Sequence, residues 1–223
     1  GYCSALIIRT FAQSDVDQLG AFASIPVINA LTDVDHPTQL LADWLTIREN
    51  FGTDIAGRKF VYLGDGNNMS HAWLIMGAIM GAHVVAATPS GKWAPDPVVV
   101  AVAKNIAANS GGKVEVTNDP EAAAKDASVL YTDVWMSMGD SESDRKEKVQ
   151  ALSPFAVTEH LMKMASKDSL FMHCLPAHRG EEVEANVIDG PRSVIWREAY
   201  HRRTTIQSIL YHLVRGDLKG YTH

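Results

Sequence analysis

The residues best suited to chemistry in this 223-residue chain lie in four short polar segments. Cys174 directly follows His173 after an apolar run, and a thiol there could be a nucleophile, a metal ligand or a polar contact for an amine. Asp133 follows another apolar run, and its carboxylate can hold a cationic amine. The next turn contains Ser137 and Met138, and its backbone N–H groups can hold an anion. The carboxylate and the turn together predict a site for the head group of an α-amino acid.

Amide side chains and a helix start supply the other two segments. Asn67 and Asn68 can donate and accept hydrogen bonds with a small polar ligand, or they can simply satisfy the backbone of a turn. His36 and Gln39 lie one turn apart at the start of a predicted helix, where free N–H groups favour a negative or strongly polar ligand. A plain helix cap is the alternative explanation. Arg9, at the end of a predicted strand, could point to the same place.

No cofactor is predicted for these segments. Gly64 and Gly66 have the spacing of a dinucleotide-binding loop, but Met69 occupies the third glycine position and no acidic residue follows the next strand. A metal site would need further ligands at coordinating spacing, and the chain has only two cysteines, Cys3 and Cys174.

Alternating strands and helices are predicted to bring the polar segments together. Five short apolar runs are predicted strands, at 60–63, 84–87, 114–117, 129–132 and 170–173. The helices between them are predicted to begin at Ser70, Asp96, Asp119 and Thr158, and a last helix from about Arg202 to Val214. This pattern predicts an α/β fold with a doubly wound, Rossmann-like parallel sheet of order 3-2-1-4-5. Three of the polar segments follow the first, fourth and fifth strands, at the edge where such sheets bind ligands.

The ends of the chain suggest a division into three parts. The chain opens almost at once on an apolar run, at 5–10, and a domain rarely begins inside its sheet. We therefore expect the C-terminal part of a longer polypeptide: the end of a second α/β domain at 1–52, a complete domain at 53–200, and a C-terminal helix at 201–223 that packs back on the first part. The charge-rich run 140–148 is expected to be a solvated helix face.

Composition limits the possible partners. Hydrophobic residues make up 46% of the chain, as in globular proteins, and 26 acidic against 20 basic residues give a formal net charge of −6. A basic face for nucleic acid or for an anionic membrane is therefore not expected. The most apolar stretch, 74–87, is too short to span a bilayer. These features predict a soluble, intracellular protein that handles a small molecule.

In their order along the chain, the polar segments resemble the successive signatures of the ornithine carbamoyltransferases. The matching segments are Arg9, His36-Pro37-Thr38-Gln39, Gly64-Asp65-Gly66-Asn67-Asn68, Tyr131 to Gly139, and His173-Cys174-Leu175-Pro176. The resemblance implies an enzyme that transfers the carbamoyl group of carbamoyl phosphate to the side-chain amine of L-ornithine and works as a homotrimer or a multiple of it. It also implies an N-terminal carbamoyl phosphate domain, of which this chain would hold the last part, and a C-terminal ornithine domain.

The resemblance also implies a role for each matching residue. Arg9, His36, Gln39 and Arg202 correspond to residues that contact or polarise the carbamoyl group. Asn68 and the Met138 backbone correspond to the holders of the α-carboxylate of ornithine, and Asp133 and Ser137 to those of its α-amine. Cys174 and the Leu175 carbonyl correspond to the contacts of the attacking amine, so that Cys174 is not expected to carry an acyl group.

The sequence departs from the family pattern in three places. The phosphate-gripping Ser-x-Arg-Thr-Arg loop does not occur in these 223 residues, so they are expected to bind carbamoyl phosphate poorly on their own. Tyr200 and His201 stand where the family usually has Glu and Asn, which weakens the assignment of Arg202, and Ala72 replaces a common Ser. Alternatives therefore include a carbamoyltransferase for putrescine or an N-acyl-ornithine and a non-catalytic amino-acid-binding module, with a dinucleotide oxidoreductase last.

Overall fold

Strands and helices alternate along the chain in a computed structural model that describes residues 2–53, 55, 57–136 and 143–216. The strands are β1 (Leu6–Arg9), β2 (Val27–Leu31), β3 (Lys59–Leu63), β4 (His83–Ala87), β5 (Lys113–Thr117), β6 (Val129–Thr132) and β7 (Leu170–His173). The helices are α1 (Gln13–Phe22), α2 (Pro37–Phe51), α3 (Asn68–Ile79), α4 (Pro97–Ser110), α5 (Pro120–Ala124), α6 (Arg145–Leu152), α7 (Glu159–Met164), α8 (Ala185–Ile188) and α9 (Ile195–Arg215). Short 3-10 turns lie at Gly91–Trp93 and Ser153–Phe155.

Five parallel strands form the main sheet, in the order β5-β4-β3-β6-β7. Successive residues of each strand face opposite sides, so Phe60 and Tyr62 pack with α2, α3 and α4, while Val61 and Leu63 pack with α5, α7 and α8. Both faces are therefore covered, which explains why these strands are apolar throughout. The predicted doubly wound parallel α/β fold is confirmed.

A smaller unit precedes this sheet. Its strands β1 and β2 form a parallel pair, and α2 follows with Pro37 in its first turn and Gly52 at its C-cap, the latter at a φ of 78°. α9, the last described helix, packs along α2 of the smaller unit. Among the described residues, no helix has both the length and the apolar character needed to cross a membrane.

Two helix starts differ from the prediction. α9 begins at Ile195 rather than near Arg202, because Glu198 and His201 lie on its buried face and interrupt the apolar periodicity. α3 begins at Asn68 rather than Ser70, because the Asn67 side chain caps it. The three caps predicted at Asp96, Asp119 and Thr158 are confirmed, since each side chain accepts a hydrogen bond from a backbone N–H in the first turn of its helix.

The run 140–148 is only partly the solvated face that its charge predicts. Residues 140–142 lie outside the described part of the chain, but the Lys148 side chain is buried and its Nζ lies 2.6 Å from Oδ2 of Asp65. It also lies 5.2 Å from the ring centre of Trp93. The prediction is wrong for Lys148 because Asp65, a buried carboxylate far away in sequence, pairs with it, which helix charge patterning cannot reveal.

Candidate functional site

Asn67 connects the loop after β3 to the loop after β6. Its Oδ1 accepts hydrogen bonds from the N–H groups of Met69 and Ser70, at 3.0 and 3.2 Å, and from the hydroxyl of Tyr62, at 3.1 Å. This fixes the amide so that its Nδ2 donates to Oδ2 of Asp133, at 3.1 Å. A helix cap therefore also orients a carboxylate on the neighbouring strand.

Asp133 lies at the carboxyl end of β6 and receives donors from two further groups. The backbone N–H of Val134 donates to its Oδ1 at 2.7 Å, and the thiol of Cys174, after β7, donates to the same oxygen at 2.9 Å. A carboxylate accepts about four hydrogen bonds, so three donors leave room for one more, such as an ammonium group. We call Asn67, Asp133 and Cys174 the aspartate cluster.

The thiol of Cys174 is a hydrogen-bond donor rather than a thiolate. Burial raises its pKa well above the usual value, and the negative charge of Asp133 raises it further. Cysteine nucleophiles and metal ligands need the thiolate, which positive neighbours favour and these neighbours oppose. This environment favours the polar contact among the three roles that the sequence left open.

Buried groups next to Cys174 fix the backbone of the same loop. Leu175 has a positive φ of 58° and precedes a cis peptide bond to Pro176, and its N–H donates to Nδ1 of His173 at 2.9 Å. Nε2 of His173 lies 3.4 Å from Oε1 of Glu182, and both side chains are fully buried. Glu182 also accepts the backbone N–H of His178. Contacts among its own residues and with the buried carboxylate of Glu182 therefore fix this loop. The sequence analysis did not identify Glu182.

A second group of side chains carries positive charge. His36 is the N-cap residue of α2 and is buried, and its pKa is lowered to about 3 by burial and by the charges of Arg202 and Arg9. The ring is consequently neutral at physiological pH and still carries one N–H. Arg202, on α9, donates to Oγ1 of Thr38 at 3.1 Å, so a contact also links this arginine to the first turn of α2. We call Arg9, His36 and Arg202 the arginine cluster.

The side chain of Gln39 donates hydrogen bonds to two acidic side chains. Its Nε2 donates to Oδ1 of Asp43 at 2.8 Å and to Oε1 of Glu198 at 3.1 Å. Glu198 also receives the hydroxyl of Tyr131, at 3.4 Å, and the backbone N–H of His173, at 3.0 Å. The buried side chain of Glu198, on α9, therefore contacts α2, β6 and β7, and so connects elements that carry residues of both clusters.

Asp43 and Glu198, which we call the carboxyl pair, are fully buried, and both accept a hydrogen bond from Nε2 of Gln39. Two buried carboxyl groups that meet at one amide nitrogen repel each other when both are ionised. Burial raises the pKa of Asp43 to about 7 and that of Glu198 well above its usual value. The pair therefore carries at least one proton near neutral pH.

The departures from the family pattern leave Arg202 in place. His201 turns away and pairs with Glu49, with its Nε2 2.8 Å from Oε2 of that carboxylate, and Tyr200 is exposed. Arg202 still reaches Thr38 from the next position on the helix. Ala72 is buried in the packing between α3 and the sheet.

The structure thus brings Arg9, His36, Gln39 and Arg202 to one side of the candidate site and Asp133, Cys174 and Leu175 to the other. Asn68 is partly buried at the start of α3, next to Asn67, and its side chain has no hydrogen-bond partner among the described residues. Ser137 and Met138 lie outside the described part of the chain, so their roles stay predictions.

The acidic residues beneath the site, namely Asp43, Glu182 and Glu198, were missed by the sequence analysis. A carboxylate four residues after Gln39, on the apolar face of α2 with Leu40 and Ile47, was the only available signal for Asp43.

Comparisons with known proteins agree on one family. The family model "Aspartate/ornithine carbamoyltransferase, Asp/Orn binding domain" matches residues 56–213, and the "carbamoyl-P binding domain" model of the same family matches residues 1–49. The ornithine carbamoyltransferase of Pyrococcus horikoshii is 49% identical over 220 residues, which are 99% of this chain and 68% of that protein. The anabolic ornithine carbamoyltransferase of Pyrococcus furiosus is 49% identical over 218 residues, which are 98% of this chain and 68% of that protein.

Solved structures give the same result. The ornithine carbamoyltransferase structure from Pyrococcus furiosus matches with a TM-score of 0.91 and 48% identity, over 98% of this chain and 68% of that one. The structure from Gloeobacter violaceus matches with a TM-score of 0.87 and 44% identity, over 96% of this chain and 70% of that one.

Proposed function

The chain belongs to the aspartate/ornithine carbamoyltransferase family, and we propose that its site transfers the carbamoyl group of carbamoyl phosphate to the side-chain amine of L-ornithine, giving citrulline and phosphate. In this proposal residues 1–52 contribute the carbamoyl side of the site and residues 53–200 the ornithine side. The C-terminal helix joins the two through Arg202 and Glu198.

The observation that carries the proposal is the meeting of two side chains on the carboxylate of Asp133. Asn67 and Cys174 come from the loops after β3 and β7, and both donate to this carboxylate. The remaining acceptor position can take the α-ammonium group of an amino acid, and Asn68 stands next to it for the α-carboxylate. The arginine cluster, at the end of β1, at the start of α2 and on α9, supplies the opposite charge for the carbamoyl donor.

The chemistry follows from this separation of charge. The neutral side-chain amine attacks the carbamoyl carbon, a C–N bond forms and the C–O bond to phosphate breaks. The leaving phosphate keeps the electron pair of that bond and takes up the proton that the nitrogen loses. Negative charge builds on the carbonyl oxygen in the transition state, where Arg9, Arg202 and the N–H of neutral His36 can stabilise it. A neutral histidine donates a hydrogen bond without adding a third positive charge to a buried position.

The attacking amine must itself be neutral. A lysine-like amine has a pKa of about 10.4 in water, so the site has to remove its proton or select the neutral form. Burial against the Cys174 thiol and the Leu175 carbonyl favours the neutral amine, because desolvation penalises the ammonium form. Cys174, which donates to Asp133, then contacts the amine without forming a covalent bond to the carbamoyl group.

Citrulline formation tests the proposal directly. The complete natural polypeptide that carries these residues is assayed with carbamoyl phosphate and, side by side, L-ornithine, putrescine and an N-acyl-ornithine. We expect product with ornithine only, since putrescine has no α-carboxylate for Asn68 and the N-acyl compound has no α-ammonium for Asp133. Folded protein that makes no citrulline contradicts the proposal, and turnover of either other amine redirects it to that substrate.

The physiological setting follows from the same proposal. The Pyrococcus furiosus relative is described as anabolic, which favours citrulline synthesis for arginine over the reverse direction. We further propose the homotrimer and the cytoplasmic location that the family resemblance implies. Light scattering of the purified natural protein and fractionation of its cells test these two points.

A further inference from the structure

The carboxyl pair lies beneath the reacting groups, and the reaction as proposed above does not use it. Both carboxyl groups are fully buried, although each would be better solvated in water, so their position needs a compensating interaction. They provide it for one another and for Gln39, which donates one N–H to each.

Those two hydrogen bonds determine which end of the Gln39 amide is free. A glutamine amide has two N–H donors and a carbonyl acceptor, and the carboxyl pair uses both donors. The carbonyl oxygen Oε1 therefore faces away from the pair, and it receives no hydrogen bond from any described residue. A ligand group that donates hydrogen bonds would satisfy it.

The carbamoyl group has such a donor, its NH2. Acyl groups of similar size, such as acetyl, have a methyl group in the same position and cannot donate. A site that offers a carbonyl acceptor there gains a hydrogen bond with the carbamoyl group and leaves its acceptor unpaired with an acetyl group.

Resting on the proposed function, we propose that Asp43 and Glu198 are positioning residues that, by sharing one proton, hold the Gln39 carbonyl toward the carbamoyl NH2 and so select carbamoyl over acyl donors. Two ionised carboxylates would repel each other, while two fully protonated groups would present O–H donors in competition with the Gln39 N–H groups. The singly protonated pair avoids both conditions. Glu198 also holds the backbone N–H of His173, so the same proton couples the carbamoyl side to the Cys174 loop.

Charged and titratable groups face the pair from four elements. Gln39 lies on α2 with Asp43, Tyr131 approaches from β6, the backbone of His173 and then Cys174 from β7, and Arg202 from α9 beside Glu198. Arg202 is the one full positive charge among them in the described part of the chain. It can balance one carboxylate but not two, which favours retention of the shared proton.

A double-mutant cycle in the complete natural polypeptide tests this role. Asp43→Leu removes the acceptor, and we expect the KM for carbamoyl phosphate to rise about tenfold while the affinity for ornithine is retained. In a Gln39→Ala background the same substitution should add little, because the amide that it positions is already gone. An equal effect in both backgrounds shows a merely structural role and overturns the inference.

Asp43→Asn provides the conservative rescue and the pH readout. Its carbonyl can accept from Gln39 and its NH2 can donate to Glu198, as the protonated pair does, so KM should return to near the wild-type value. In the wild type, KM should rise at alkaline pH as the pair loses its proton. In Asp43→Asn this rise should disappear, since only one carboxylate remains. If Asp43→Leu does not fold, the pH dependence of the KM in Asp43→Asn tests the inference instead. An alkaline rise in KM that is the same in Asp43→Asn as in wild type overturns it.

The two proposals fail in different ways. Wild-type protein that makes no citrulline overturns the proposed function and this inference with it. Active wild type with additive effects in the cycle overturns the inference alone. Acetyl phosphate serves as the second donor, and Gln39→Ala and Asp43→Leu should both reduce the preference for carbamoyl phosphate over it about tenfold.

Discussion

The aspartate cluster and the arginine cluster are built on different principles. The aspartate cluster consists of loops at the ends of β3, β6 and β7, and its members bond directly to one another. The arginine cluster lies at the end of β1, at the start of α2 and on α9. The hydrogen bond from Arg202 to Thr38 and the charge of Asp43 in the carboxyl pair hold Arg202 in place. Hydrogen bonds among its own members fix the aspartate cluster, whereas contacts with residues outside the cluster fix the arginine cluster.

This difference also separates their electrostatic effects. In the aspartate cluster burial and a negative charge together keep a thiol protonated. In the arginine cluster burial and positive charges together keep a histidine unprotonated. An amino acid and a carbamoyl donor placed between them would each meet the charge it requires. The comparison predicts that changes in the aspartate cluster alter ornithine affinity and that changes in the arginine cluster alter turnover.

Asp133→Asn should have the largest effect. The amide NH2 that the substitution introduces would face the donors of Asn67 and Cys174. The substitution would also remove the negative charge that holds the α-ammonium group of ornithine. Removing one partner of a buried charge contact costs about 3–4 kcal/mol, so we expect ornithine to bind several hundredfold more weakly by calorimetry. The matched control is Asp168→Asn, whose carboxylate is 62% exposed and pairs with Arg58. Equal affinity for ornithine in Asp133→Asn and wild type would contradict the role of this cluster.

Arg202→Gln tests the other side. Loss of one charged donor to a developing oxyanion typically lowers kcat by about a hundredfold. We expect that loss in citrulline formation, with little change in ornithine affinity, because Arg202 donates its hydrogen bond to Thr38 on α2. Arg203→Gln, the adjacent exposed arginine over the Tyr200 ring, should behave like wild type. A variant with weak ornithine binding and normal kcat would break the division between the clusters.

The two clusters were not equally visible in the sequence. The doubly wound sheet and the positions of Asp133, Cys174 and His36 follow from apolar runs, caps and motif order, since local patterns determine them. Asp43, Glu198 and Glu182 were not identified in that way, because a carboxylate is normally exposed and each of these three is buried in the fold. The first turns of α9 were missed for the same reason, as Glu198 and His201 stand where apolar residues were expected.

The pH dependence of stability should distinguish the arginine cluster from the carboxyl pair by its sign. The folded pKa of His36, about 3, lies below its usual 6.5, so between these values the unfolded chain binds more protons and stability falls as pH falls. His36→Asn removes this loss. Relative to wild type, its free energy of unfolding should rise by about 1.5 kcal/mol from pH 6.5 to pH 5, as measured by urea titration.

Asp43→Asn should shift stability in the opposite direction over the same range. The pKa of Asp43 is raised in the folded chain, so the folded state binds more protons above pH 4 and loses stability as pH rises toward 7. The variant should therefore gain stability relative to wild type as pH increases. His160→Asn, at an exposed histidine, is the matched control for the loss of a histidine side chain. Parallel slopes for the His36 and Asp43 variants would contradict the assigned charge states.

The smallest effect concerns the thiol of Cys174. Because burial and Asp133 raise its pKa, iodoacetamide at pH 8 should modify Cys174 at least about tenfold more slowly than the exposed Cys3 of the same chain. Asp133→Asn removes the negative charge next to the thiol and should accelerate modification of Cys174 while leaving Cys3 unchanged, as followed by peptide mass spectrometry. Faster alkylation of Cys174 than of Cys3 in wild type would indicate a thiolate. That result would reopen a nucleophilic role and remove the contrast in charge between the two clusters.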